Sequence, residues 1–127
     1  MFGREGVRVA VCLGVMDGEG MEPAEFLAAV RALTDGDSRV RERSADEVTD
    51  RLSSYGPAEA SALATTLAAA AATEEDPAAL EAQLHAILEL TSTGHVLPVH
   101  VQSLRRIDVQ ELSAGLRDYV VDLFEAG

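Results

Sequence analysis

Lysine, asparagine and tryptophan are missing from this chain of 127 residues, and cysteine occurs once. A lone thiol, Cys12, excludes an intrachain disulfide and a cysteine-built zinc site, and it fits a reducing, cytoplasmic setting. Aromatic residues make up only 4% of the chain, so any core has to be built from aliphatic side chains and alanine. Positive charge is scarce as well. Ten arginines stand against 22 acidic residues, a formal net charge of −12. That balance opposes binding to phosphate backbones and to anionic lipid, and it attracts basic proteins. No stretch approaches the roughly 20 consecutive apolar residues needed to cross a bilayer. Nucleic acid and membrane are therefore not expected partners, whereas another protein, a basic one above all, is.

What the chain does contain is alanine in helical patterns. Hydrophobic residues reach 47%, and alanine, with no side-chain entropy to lose, favours helix and tolerates close packing. Pro23 suits a first helical position, and Phe26, Leu27, Val30 and Leu33 recur at three and four residues, which places them on one face. After Thr34 and Gly36 a second helix starts at Asp37 or Ser38 and carries Val40, Val48, Leu52 and Tyr55 at helical spacing, with the small Ser44 and Ala45 between. Gly56-Pro57 breaks it. A third helix then runs to about Ala72 with Leu63, Leu67, Ala70 and Ala71 inward. Asp76-Pro77 is the clearest helix start, an acceptor followed by a residue with no N–H to satisfy. Leu80, Leu84, Ile87 and Leu88 form the stripe of this fourth helix, beside the small row Ala78, Ala82, Ala86. Thr93-Gly94 ends it, Pro98 opens a short fifth helix with Val101 and Leu104, and Asp108 with Glu111 predicts a capping box for a sixth. Val109, Leu112, Leu116, Val120 and Leu123 are the expected buried face of that last helix, which closes on Phe124.

Three times a helix runs into an acidic turn and a second helix starts on aspartate: Asp37, Asp76 and Asp108. The expected fold is all-α, three stacked helical hairpins forming a short solenoid. Residues 1–20 differ in composition, being rich in glycine with an apolar run from Val7 to Val15 interrupted by Arg8. They read as an N-terminal arm, flexible or a short edge strand, with Met16 and Met21 as alternative starts. A secretory leader is disfavoured, since no small-residue cleavage site follows the run.

The interval from Asp37 to Asp76 is close to the period of about 40 to 47 residues seen in HEAT repeats. Asp35, Asp37, Val40, Arg41, Ala45, Val48 and Leu52 carry the likeness, and residues 23–124 resemble a HEAT-like helical repeat protein. The second unit keeps Asp76-Pro77 but has Leu80-Glu81 where Val-Arg would stand, and the third has Asp108 and Val109 with Gln110 in place of Arg. The resemblance implies that the aspartates cap or bridge repeats, that the arginine pairs with an acid of a neighbouring repeat, and that the protein is a non-catalytic platform for other macromolecules.

Charge is unevenly spread. Between Pro57 and His95 stand Glu59, Glu74, Glu75, Asp76, Glu81 and Glu89, with no arginine. Glu59, Glu74, Glu75, Glu81, His85 and Glu89 are the candidate protein-binding surface; the competing reading is that acids in turns and at helix starts merely keep an alanine-rich surface solvated. Glu81, His85 and Glu89 follow at four-residue steps and line one helix face, where two carboxylates would favour a protonated imidazole. Asp37, Asp76 and Asp108 are assigned as structural caps. The second helix has the mixed charge of an exposed face, the kind that solenoids use for binding. Metal binding is not expected, because His95 and His100 lack further donors at short range, and Asp35-x-Asp37 lacks the remaining positions of a calcium loop. Gly14, Gly18 and Gly20 are not followed by the Gly-Lys-Ser/Thr of a phosphate-cradling turn. No nucleophile motif is recognisable, so the expectation is a non-enzymatic interaction module without a cofactor, able to self-associate through its uncapped ends. The alternative is an acidic immunity or antitoxin protein that neutralises a cationic nuclease toxin. A lyase or hydrolase acting through His85, His95 or His100 is the third reading.

Overall fold

The computed structural model describes residues 22–126, and every element among them is helical. Five α-helices are present: α1 (Pro23–Leu33), α2 (Ser38–Asp50), α3 (Pro57–Ala72), α4 (Pro77–Ser92) and α5 (Ala114–Ala126). Three 3₁₀ segments supplement them, at Leu52–Ser54, Pro98–Arg106 and Val109–Glu111. The N-terminal arm of residues 1–20, as a flexible tail or a strand, lies outside the described residues.

The helix starts follow local chemistry. Pro23, Pro57 and Pro77 each occupy the first turn, where a missing N–H costs nothing. The Asp37 carboxylate accepts from the Arg39 N–H at 2.9 Å, and the Asp76 carboxylate from the Ala79 N–H at 2.9 Å, so both cap helices as expected. Gly94 has φ +87°, the left-handed conformation that a side chain would strain, and it turns the chain away after α4.

Two expectations about the last third are corrected. The fifth helix is 3₁₀ rather than α, with a kink at Val101, and its start is held by the His100 ring, whose Nδ1 accepts from the Leu97 N–H at 2.9 Å. The sixth helix does not start at Asp108. That carboxylate accepts from Gln110 N–H, two residues on, and closes a 3₁₀ turn; α5 begins only at Ala114, behind Ser113. The Arg117 guanidinium stabilises this detour by donating to the carbonyls of Val109 (3.0 Å) and Leu112 (3.2 Å), groups that a continuous helix would have used itself.

Packing sorts the elements into two rows. α1 lies on α3, and α3 on the Pro98–Arg106 segment; α2 lies on α4, and α4 on α5. Within hairpins α1 packs on α2, α3 on α4, and the 3₁₀ segment on α5, where Arg105 sits 4.4 Å from the centre of the Phe124 ring. The core comprises Leu33, Leu63, Leu67, Leu84, Ile87, Leu90 and Leu104, all fully buried, with buried alanines such as Ala45, Ala64, Ala68 and Ala86 among them. α4 touches α2, α3 and α5 and buries Ala79, Leu80, Ala82, Gln83, Leu84, Ala86, Ile87 and Leu90, so its apolar surface extends well beyond a single stripe. Leu27, expected inward, is 53% exposed, and Ala78 is exposed while Ala82 and Ala86 are buried. α1 belongs to the end hairpin, and among the described residues it has a neighbouring hairpin on one side only.

Candidate functional site

The acidic residues of the central hairpin divide by position. Glu74, expected on the surface, is an interior group with a side chain 1% exposed. Its carboxylate receives Arg41 at two points, Nε to Oε1 at 2.6 Å and a terminal guanidinium nitrogen to Oε2 at 2.7 Å. Gln83 Nε2 donates to Oε1 at 2.9 Å and the Asp76 N–H to Oε2 at 3.1 Å. The hydrogen bonds from Arg41 hold the Glu74 carboxyl below its usual range against the opposing effect of burial, with the Asp76 N–H and Gln83 adding to the shift. Arg41 responds in the opposite sense, its guanidinium held more firmly in the charged form by Glu74. The same guanidinium donates to the Asp35 carbonyl at 2.7 Å, so it braces the α1–α2 turn against the α3–α4 turn. Glu74 is therefore not on the surface where the sequence places it. Glu59 is half-buried, and its Oε1 accepts from the Gly56 N–H at 3.0 Å and secures the start of α3.

Glu75 stands exposed on the α3–α4 turn, and Glu89 is half-buried near the end of α4. Glu81 and His85 take part in something larger. They line a cleft of about 220 Å³ together with Glu42 and Asp46 of α2, Ala78 and Ala82 of α4, and Tyr119 of α5. The Tyr119 hydroxyl lies 3.4 Å from His85 Nδ1, and the two rings meet edge to face, with centroids 6.0 Å apart and an interplanar angle of 84°. Glu42, Asp46 and Glu81 carry no ion pair among the described residues, so three carboxylates face one hollow that no arginine lines. The walls come from all three helices of one row.

Such a hollow suits a cationic side chain, with carboxylates to meet its charge and aromatic edges to flank its stem. Among the described residues no group of three or more His, Cys, Asp or Glu is placed to hold a metal ion. Glu81 and His85 were reachable from their four-residue spacing in the sequence. Glu42, Asp46 and Tyr119 were not, because nothing local indicates that α2 and α5 flank α4. Among the described residues no helix is long and apolar enough to cross a membrane. No family model, curated protein or solved structure matches the chain.

Proposed function

We propose that this protein is a non-enzymatic, HEAT-like protein-interaction module of the cytoplasm whose α2–α4–α5 row receives a cationic segment of another protein. The cleft of Glu42, Asp46, Glu81, His85 and Tyr119 carries this reading, since it gathers carboxylates that have no ion pair among the described residues on the row formed by the second helix of each hairpin. The repeat-like part of the reading is supported by the two-row packing and by Arg41, which pairs with an acid in the turn of the next hairpin. A narrower version, an immunity protein covering the basic site of a nuclease toxin, draws on the same cleft and on the net charge of −12.

The test compares two triple variants of equal net charge. Glu42→Gln with Asp46→Asn and Glu81→Gln empties the cleft of charge, while Glu22→Gln with Glu111→Gln and Asp118→Asn removes exposed acids elsewhere. Calorimetric titration with a short arginine-rich peptide should show binding that weakens with salt and is lost in the first variant alone. Equal loss in both would reduce the effect to bulk charge and overturn the cleft as a site.

A further inference from the structure

The first two hairpins are latched at their turns, and the second and third are not. Arg41 of α2 carries its guanidinium to Glu74 in the α3–α4 turn. One hairpin along, α4 has Leu80-Glu81 in place of Val40-Arg41, so it brings no arginine to the corresponding joint. Among the described residues, no ion pair or side-chain hydrogen bond joins the α3–α4 turn to the segment ahead of α5.

A hollow of about 470 Å³ stands at that second joint. Leu80, Ile107, Leu112 and Leu116 form its apolar floor; Leu80 is buried, but the other three are only half-covered by the fold. Glu75, Asp108, Glu111 and Arg106 edge it, three carboxylates to one guanidinium, and none of the four has an ion pair among the described residues. Glu74 borders it too, but is committed to Arg41. The hollow shares two walls with the acidic cleft. Pro77 and Leu80 of α4 line the hollow, and the residues directly after them, Ala78 and Glu81, line the cleft. On α5, Leu116 lines the hollow and Tyr119, one turn on, lines the cleft.

We infer that the hollow takes one bulky aliphatic side chain from the same basic segment whose cationic residue enters the cleft. The partner is then recognised by an arginine and an apolar residue a few positions apart. This inference rests on the cleft reading and adds to it the source of the apolar contact. The half-covered floor supplies surface to bury, and the excess of carboxylates at the edge favours a segment that is basic around its apolar residue. A second copy of this chain, at a net charge of −12, would meet the same acids as repulsion. Reach is modest. Residues three apart on a helix stand about 5–6 Å from each other. An extended peptide covers about 3.3 Å per residue, so an apolar residue about two to four positions from the arginine spans the two sites.

The test uses short peptides of arginine and glycine in which a single leucine is walked through the positions, each paired with its alanine counterpart. In calorimetric titration of the native chain, the leucine peptide should bind about tenfold tighter or more in the favoured register, the gain expected from enclosing one leucine side chain. Ala72→Phe, which fills the hollow from the end of α3, should bring that peptide down to the affinity of its alanine counterpart. Methyl NMR on the native chain gives a readout independent of any variant: the leucine peptide, unlike the alanine one, should shift the signals of Ile107, Leu112 and Leu116. Equal affinity of leucine and alanine peptides in every register would overturn the anchor and leave the cleft standing. Methyl shifts confined to other residues, or a leucine advantage that survives in a folded Ala72→Phe chain, would place the side chain elsewhere and also overturn it. No binding by any of the peptides would overturn both readings together.

Discussion

Arg41 and Glu74, 33 residues apart in the chain, form a two-point guanidinium–carboxylate contact that joins the turn of the first hairpin to the turn of the second. The carboxylate is shielded from water, and it also satisfies the Gln83 amide and a backbone N–H. A neighbouring acid in the same turn, Glu75, is exposed and has no comparable role. Two adjacent glutamates of identical chemistry therefore differ in function through which way the turn aims them.

Substitution should separate the pair. Glu74→Gln leaves a similar shape but weakens both contacts with Arg41, and an expected loss of about 1–3 kcal/mol follows from disturbing buried, charge-assisted hydrogen bonds. Glu75→Gln should stay within about 0.5 kcal/mol, as ordinary exposed changes do. Urea unfolding followed by circular dichroism measures both; similar values for the two would mean that the Arg41 contact adds nothing to folding.

Acid should weaken the native chain through the same group. Because the folded protein holds the Glu74 carboxyl below its usual range, the unfolded chain binds the proton more readily. The stabilisation is therefore complete above the ordinary glutamate value of about 4.3 and is lost as pH falls through the lower, folded value. Unfolding free energies measured across this window should fall more steeply for the native chain than for Glu74→Gln, whose side chain does not titrate. Parallel curves would contradict the assignment.

The core offers a contrast between two leucines that look alike in the sequence. Leu84→Ala should cost about 2–5 kcal/mol, because its side chain is fully enclosed between helices. Leu27→Ala should cost less than about 1 kcal/mol, since more than half of that residue already faces water. Thermal or urea unfolding distinguishes them, and a small loss at Leu84 would remove α4 from the centre of the fold.

These contrasts show where the chain is legible. The first four helices start where Pro23, Asp37, Pro57 and Asp76 place them, because a cap or a proline acts on its own turn and needs no distant partner. Asp108 has the same local chemistry but caps only a 3₁₀ turn, and the Val109 and Leu112 carbonyls accept from Arg117, a residue too far along the chain for the local pattern to show. Leu27 has core spacing, yet the end hairpin lacks a neighbour on one side, and spacing does not say how much of an apolar arc will be covered. Glu74 sits in a turn that reads as solvated, and only the Val40-Arg41 pattern, with its implied partner in the next unit, hints at its burial. The cleft was half visible: the α4 side follows from four-residue steps, and the α2 and α5 sides depend on tertiary packing alone.

α4 packs on α2, on α3 and on α5, so it touches its own hairpin partner and the hairpins on both sides. A cut or a trimmed hairpin on either flank would expose its leucines on that side, leaving neither fragment a complete interior. The chain should thus melt as one cooperative unit instead of fraying hairpin by hairpin, unlike long arrays in which distant segments loosen separately.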